Sequence, residues 1–505
     1  MSSTRVTSSR LLIGLSLGVV SFGLLCKILL FRAFDYVSAD LYSFLDMSWS
    51  WHYSGRLLYE NAYGNHAAIH NFYIMLVFSP LTMAFGAHGL FIGLGALNAL
   101  AAVRVAASPS LGVPARVGVL AGALSPLAFF VFDDVAYGFH PELCYPPLAI
   151  LLALDLRERR FRRALLPALA MLLVKEDGAI VLGSVLVAFF AEWLWRIRKG
   201  SPGELKRATF VAAGTLAAVA FAFFGGLALL WAMGRGTAGQ ETGSGRLSRS
   251  LEMVNRTVSG RGRADRLEVR SRSLTDGLVV YVVLGSLVLF PLGRRWGRGL
   301  ALAAVAMPAI LATLVASGGV YEFAMMVWAP RLALVLATAS ACLVFAEPTP
   351  DDSPRDAGPL LGLLIAVAWG LEIVVLHRSG YLLQERVNVV AIARGESYRI
   401  AGVPEVELRF GRCIAERLPR AMPVTVPTVL LPLFHHQSIV FAGLEDHALR
   451  PASILLRPTS SPPSSGGRLC SGPRAGDLVL ESECGLLPTL ANCGWRAIQA
   501  SPSTR

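Results

Sequence analysis

Several stretches of this chain run close to twenty residues with hardly a charge, as in "LLIGLSLGVVSFGLLCKILLF" (11–31) and the charge-free segment 208–233. Twenty consecutive apolar residues are what a helix needs to cross the hydrocarbon core of a bilayer. Hydrophobic residues make up 54% of the sequence and charged residues only 16%, whereas soluble domains carry about a quarter. The expected fold class is therefore an all-α polytopic membrane protein. Arg5 and Arg10 precede the first apolar run, but no small-residue cleavage site follows it cleanly, so it reads as a retained anchor.

The net charge of +12 comes almost wholly from arginine. Most of that arginine lies in short loops between apolar runs, where the positive-inside rule puts it, so no nucleic-acid partner is implied. "RERRFRR" (157–163), "RIRKG" (196–200) and "GRRWGRG" (293–299) mark the cytoplasmic side. Counting outward from them gives about 11 transmembrane helices, near 11–31, 88–106, 115–132, 143–156, 163–175, 178–195, 208–233, 276–293, 299–317, 325–346 and 358–377. The fourth and fifth are short and need tilt or local thinning to cross. "NFYIMLVFSPLTMAF" (71–85) is short and contains proline, and is read as an interfacial helix.

Two domains follow from this count. Residues 1–377 form a transmembrane domain with an outer loop at 32–87 and a basic outer loop at 234–275. Residues 378–505 form a small α/β extracytoplasmic C-terminal domain. In it, "AMPVTVPTVLLPLF" (421–434) alternates like short strands and "TSSPPSSGG" (459–467) is a flexible break. Its four cysteines, Cys413, Cys470, Cys484 and Cys493, can pair as disulfides in an oxidising compartment, with the connectivity open.

All nine histidines and the segments "FDDVAYGFHPE" (132–142) and "KED" (175–177) fall on or near the outer side of this topology. Asp40 and Asp46 are six residues apart, so on one helix they point to different faces and cannot act as a pair. A carboxylate at the outer mouth can accept a proton from an incoming hydroxyl or hold a divalent cation; the ordinary alternative for Asp40 is a helix cap. His140 and Glu142 flank a proline at the start of an apolar run. Helix-start preferences account for Pro141 and Glu142, and leave His140 for head-group or phosphate binding. Lys175, Glu176 and Asp177 interrupt some thirty apolar residues, where ionisable groups face a cavity or one another. The reading divides between a self-neutralising turn and a lysine meeting phosphate. The arginines at 235, 246, 249, 256, 261, 263, 266, 270 and 272 suit either a solvated loop or a segment gripping lipid phosphate.

"ADLYSFLDMSWSW", "FSPL" after a histidine, "FHPE" opening a span and "LLVKEDGAI" occur in this order. Together they resemble a bacterial membrane-protein family catalogued as domain of unknown function 2079, over about 34–345 and again in "VTVPTVLLPLFHHQSIV". That family is similar to the GT-C membrane glycosyltransferases, which take sugar from a polyprenyl-phosphate donor and use an aspartate of the first outer loop as base. The resemblance implies a GT-C-like fold in the bacterial inner membrane, and a lipid-linked sugar donor and membrane lipids as partners. It makes Asp40, then Asp46, the expected catalytic positions. His140, Glu142, Lys175, Glu176 and Asp177 match the family's own motifs, whose roles are unestablished, and with His70, which departs from the family's spacing, they are the expected substrate-binding positions. The alternative is a transporter, flippase or binding protein for an anionic lipid-linked substrate.

Overall fold

The computed structural model describes residues 2–32, 34, 39–60, 64–66, 70–111, 116, 120, 138–175, 178–198, 201–234, 402–439, 454–459 and 469–499. The first apolar run forms α1 (Ser2–Arg32). It is followed by α2 (Ala39–Ser54), a two-residue hairpin β1 (Tyr59–Glu60) and β2 (Gly64–Asn65), α3 (Ile74–Phe85) and α4 (Ala87–Ala107). A 3-10 turn at Pro141–Cys144 leads into α5 (Tyr145–Arg157), then α6 (Phe161–Val174), α7 (Gly178–Ile197) and α8 (Pro202–Gly234). Each helix from α5 to α8 packs against the one before it, and the connections from α5 onward are short, as in antiparallel helix hairpins.

Three of these helices are long and apolar enough to cross a membrane: Ser9–Arg32, Ala87–Ala107 and Pro202–Gly226. α3 is apolar but has 12 residues, about 18 Å of helix against a core of about 30 Å. It is held beside α2 by a Ser48–Thr82 hydroxyl contact of 2.7 Å and by Trp51 Nε1 donating to Ser79 at 3.3 Å. With 13 and 14 residues, α5 and α6 are as short as the sequence suggested. The expected spans at 276–377, most of 115–132 and the basic loop from 235 to 275 lie outside the described residues, and the three helices above are the ones among the described residues that are long and apolar enough to span.

One end of the bundle is fastened by ions. Arg104 near the end of α4 pairs with Asp155 and, at 3.4 Å, with Glu158, and Arg160 meets Glu158 at 3.2 Å. At the opposite end, where α4 and α5 begin, stand the described histidines of these helices. We call this the histidine face.

The C-terminal segment is a five-stranded sheet with two helices. β3 (Pro423–Thr425) lies parallel to β4 (Ser438–Ile439) and to β5 (Ile454–Pro458). β7 (Leu478–Glu483) runs antiparallel to β5 and to β6 (Leu469–Ala475), giving the order β4-β3-β5-β7-β6. Val424, Ile439, Ile454, Leu456 and Leu480 form its buried face. α9 (Glu405–Arg417) and α10 (Leu487–Gln499) pack on each other, joined by a Cys413–Cys493 disulfide, and Cys470–Cys484 ties β6 to the turn after β7. The α/β character is as expected, with one correction. Of "AMPVTVPTVLLPLF" only Pro423–Thr425 is strand; Thr428–Phe434 is a 3-10 helix. Pro427 and Pro432 remove ladder donors, and the buried residues Leu430, Leu431 and Phe434 are spaced for a helical turn, not for period two.

Candidate functional site

The polar groups of the histidine face separate into two clusters, and the two aspartates of α2 belong to different ones. Asp40 stands in the first turn of α2, half-buried, within electrostatic reach of Glu60, His66, His140 and Glu142. Burial raises its carboxyl above the ordinary value; His140 and His66 oppose that shift, while Glu60 and Glu142 reinforce it. A carboxylate in this state holds a proton more readily than one in water.

Glu142 is reached from two sides. Lys175, just past the end of α6, donates to its Oε1 at 3.0 Å, and His140 Nδ1 lies 3.5 Å from Oε2. Burial alone would raise this carboxyl, but Lys175, then His140, outweigh it and hold the group well below its usual range. The approach of α6 to α7 depends on Gly178: a Cβ there would sit 1.9 Å from the Met171 carbonyl oxygen. Glu176 and Asp177 lie outside the described residues.

Aromatic rings line the ground between these groups. Phe72 stacks on His66 at 5.4 Å, meets His70 at 5.1 Å and Phe44 at 5.4 Å, and lies 5.7 Å beneath the Lys175 ammonium. Phe44 in turn meets His140 at 5.5 Å. Thus Asp40, His70, His140, Glu142 and Lys175, singled out in the sequence for different reasons, come to one place.

Asp46 does not join them. It is fully buried and its Oδ1 accepts the Ile439 backbone N–H of β4 at 3.2 Å and Trp49 Nε1 at 3.5 Å. The same contact surface includes His435, whose Nδ1 accepts the Ala87 N–H at the start of α4 at 3.2 Å. His435 also packs edge-on to Phe31 and His88. Arg420 donates to the Met83 carbonyl at 3.2 Å. Asp46 therefore fastens the C-terminal sheet to α2.

Three participants were not expected. Glu60 Oε1 lies 2.5 Å from His66 Nδ1, brought there by the β1–β2 pairing of Glu60 with Gly64 and Tyr59 with Asn65. The signal was present in "YENAYGNH", an acid and an imidazole six residues apart. Lys27, fully buried in α1, donates to the Gly138 carbonyl at 2.5 Å and so holds the strand of chain that delivers His140. Among the described residues no three His, Cys, Asp or Glu side chains converge as metal ligands.

Against families of known proteins, residues 33–232 match the model for a predicted membrane protein, DUF2079. The expected resemblance is thereby found. The match covers α2 through most of α8 and includes both aspartates, "FHPE" and "KED", but it stops short of the expected limit near 345 and does not take in the C-terminal sheet. No curated protein matches the chain. The matched segment consists largely of apolar helices whose polar residues gather at one end.

Proposed function

We propose that this protein is a membrane-surface glycosyltransferase that moves a sugar from a polyprenyl-phosphate donor to a hydroxyl acceptor at the histidine face. What supports the reading most is the gathering of Asp40, His140, Glu142 and Lys175 among apolar helices. Apolar residues of similar volume would hold such a fold as well or better, so the cluster is there for chemistry. Asp40 takes the proton of the acceptor hydroxyl. The oxygen attacks the anomeric carbon, and the carbon–oxygen bond to phosphate breaks with its electron pair leaving on the phosphate. The raised Asp40 carboxyl suits it to proton acceptance. Lys175 lies beside the leaving phosphate, offsetting charge as it develops, with Glu142 and His140 fixing its ammonium. Arginines of the 234–275 loop add to that grip.

The sidedness belongs to the same proposal. Two disulfides in the C-terminal segment suit an oxidising compartment, and arginine clusters at the opposite end of the helices suit the cytoplasm. The domains at 1–377 and 378–505 and a bacterial inner-membrane location accord with both. One observation favours a second reading, a carrier or binding protein for a lipid-linked anion: Lys175 already serves an internal carboxylate, which suits reversible binding without bond breaking.

The test is purified protein in nanodiscs with radiolabelled polyprenyl-phosphate sugars, wild type beside Asp40→Asn. Label leaving the lipid with wild type only supports transfer. Donors that bind but are never consumed, even with acceptor extracts added, give the carrier reading precedence.

A further inference from the structure

Glu60 and His66 have no part in the scheme above, yet their arrangement is demanding. Glu60 is fully buried and His66 is 9% exposed. A carboxylate on Nδ1 makes that nitrogen the proton bearer and leaves the Nε2 lone pair available. Among the described residues, neither His66 Nε2 nor Glu60 Oε2 has a hydrogen-bond partner. A buried polar atom left unpaired costs about 1–3 kcal/mol, so fold stability gives no reason to keep it. Phe72 covers one face of the ring, and His70 stands 5.9 Å away. The ionisable groups around the pair are Asp40 from α2, His70 before α3, His140 and Glu142 before α5, and Lys175 after α6.

We infer that His66 Nε2 is the proton outlet of this site and Glu60 its positioning residue. Asp40 hands to Nε2 the proton it has received, and the imidazole, enclosed in the resting site, gives it up to water that enters as the product leaves. The carboxylate is regenerated with no change in net charge beyond one proton per turnover. The source of that proton rests on the proposed transfer reaction; the coupling of Asp40 to His66 does not.

The experiment therefore has two arms. In the first, histidine and aspartate are isotopically labelled in full-length protein in nanodiscs and observed by solid-state NMR. His66 is assigned by its loss in His66→Gln. Wild type is expected to carry the neutral His66 proton on Nδ1, and Glu60→Gln to redistribute it to Nε2. His66→Gln is expected to move ionisation of the Asp40 carboxyl to higher pH. A wild-type Nε2–H tautomer, or an Asp40 titration unmoved by His66→Gln, overturns the inference. In the second arm, His66→Gln is expected to slow label release about 100-fold, with partial rescue by imidazole in the buffer. An equal loss at every pH without rescue also overturns it. If wild type consumes no donor while the NMR coupling holds, glycosyl transfer falls and the proton site stands.

Discussion

Asp40 and Asp46 share a helix and a side chain, and the fold uses them in opposite ways. Asp46 is enclosed and bonded to the backbone of another element, so its charge is answered by a fixed N–H dipole. Asp40 is half-buried among groups that themselves titrate, so its charge is answered by neighbours that can change theirs. The contrast extends to the surroundings. Near Asp46, His435 and Arg420 also bond to backbone, and the result is a docking surface. Near Asp40, side chains face side chains: Glu60 meets His66, and Lys175 meets Glu142. A polar group committed to backbone builds structure; one committed to other ionisable groups is available for chemistry.

The harshest probe of this contrast is Lys175→Met. It leaves Glu142 buried beside only His140, and removing one partner of a buried ion pair costs about 3–5 kcal/mol. Thermal unfolding in nanodiscs should show that loss, and Glu142→Gln in the same chain should recover most of it. If the single change is neutral, the Asp40 cluster is more open to water than its burial indicates.

Gly86→Ala attacks the other region. Gly86 has φ +59, and a Cβ there would meet His435 Nδ1 at 2.3 Å and its carbonyl oxygen at 2.5 Å. Overpacking of this kind costs about 1–3 kcal/mol. It is expected to free the C-terminal sheet, seen as faster hydrogen exchange at Ile439, while leaving the Lys175–Glu142 pair intact.

The aspartates themselves give the sharpest pairing. Asp46→Ala should cost about 1.5–3 kcal/mol, the worth of hydrogen bonds to a charged group. Asp40→Asn should stay within about 0.5 kcal/mol of wild type, because it removes a burdened charge and leaves a similar shape, yet abolish label release. Equal destabilisation by both changes would dissolve the distinction.

The smallest effect is one of pH. Burial, then His436, His88, Arg32 and Arg420, hold the His435 imidazole well below its ordinary 6.5. The undocked form therefore binds more protons, and docking strengthens as pH rises. It should be complete above about pH 6.5 and weaken below it, as protonation turns the acceptor of the Ala87 N–H into a donor. Hydrogen exchange at Ala87 and Ile439 between neutral and acid pH measures this, and His435→Asn should flatten it.

Much of this organisation was legible beforehand. Apolar run length gave α4 to within one residue at each end and the C-terminal ends of α1 and α8, which begin nine and six residues before the expected spans, and it placed α5 to α7 as well. The arginine clusters gave a sidedness under which His140, Glu142 and Lys175 share one face. What was not legible came from contacts distant in sequence. Asp46 meets Ile439, separated by 393 residues, and nothing local to α2 distinguishes it from Asp40. Glu60 and His66 were overlooked in a loop crowded with histidine and tyrosine, because the two-residue hairpin that orients them is too short to register as strand. The 3-10 helix at Thr428–Phe434 was misread because its valine and leucine content imitates a strand.

Lys27 has a consequence for how the chain is made. It is the one charge in the interior of the first apolar run, five residues before the end of α1, where a lysine costs less than the ~2.5–3.5 kcal/mol of a helix centre and still needs an answering group. Its answering carbonyl, Gly138, lies 111 residues later. While the chain is being synthesised, α1 enters the membrane carrying a debt that no neighbour can yet settle, and its ammonium must stretch toward the water line. The arrival of residue 138 seats it. The segment that brings His140 to the site is thus also the one that answers the charge carried by the first helix.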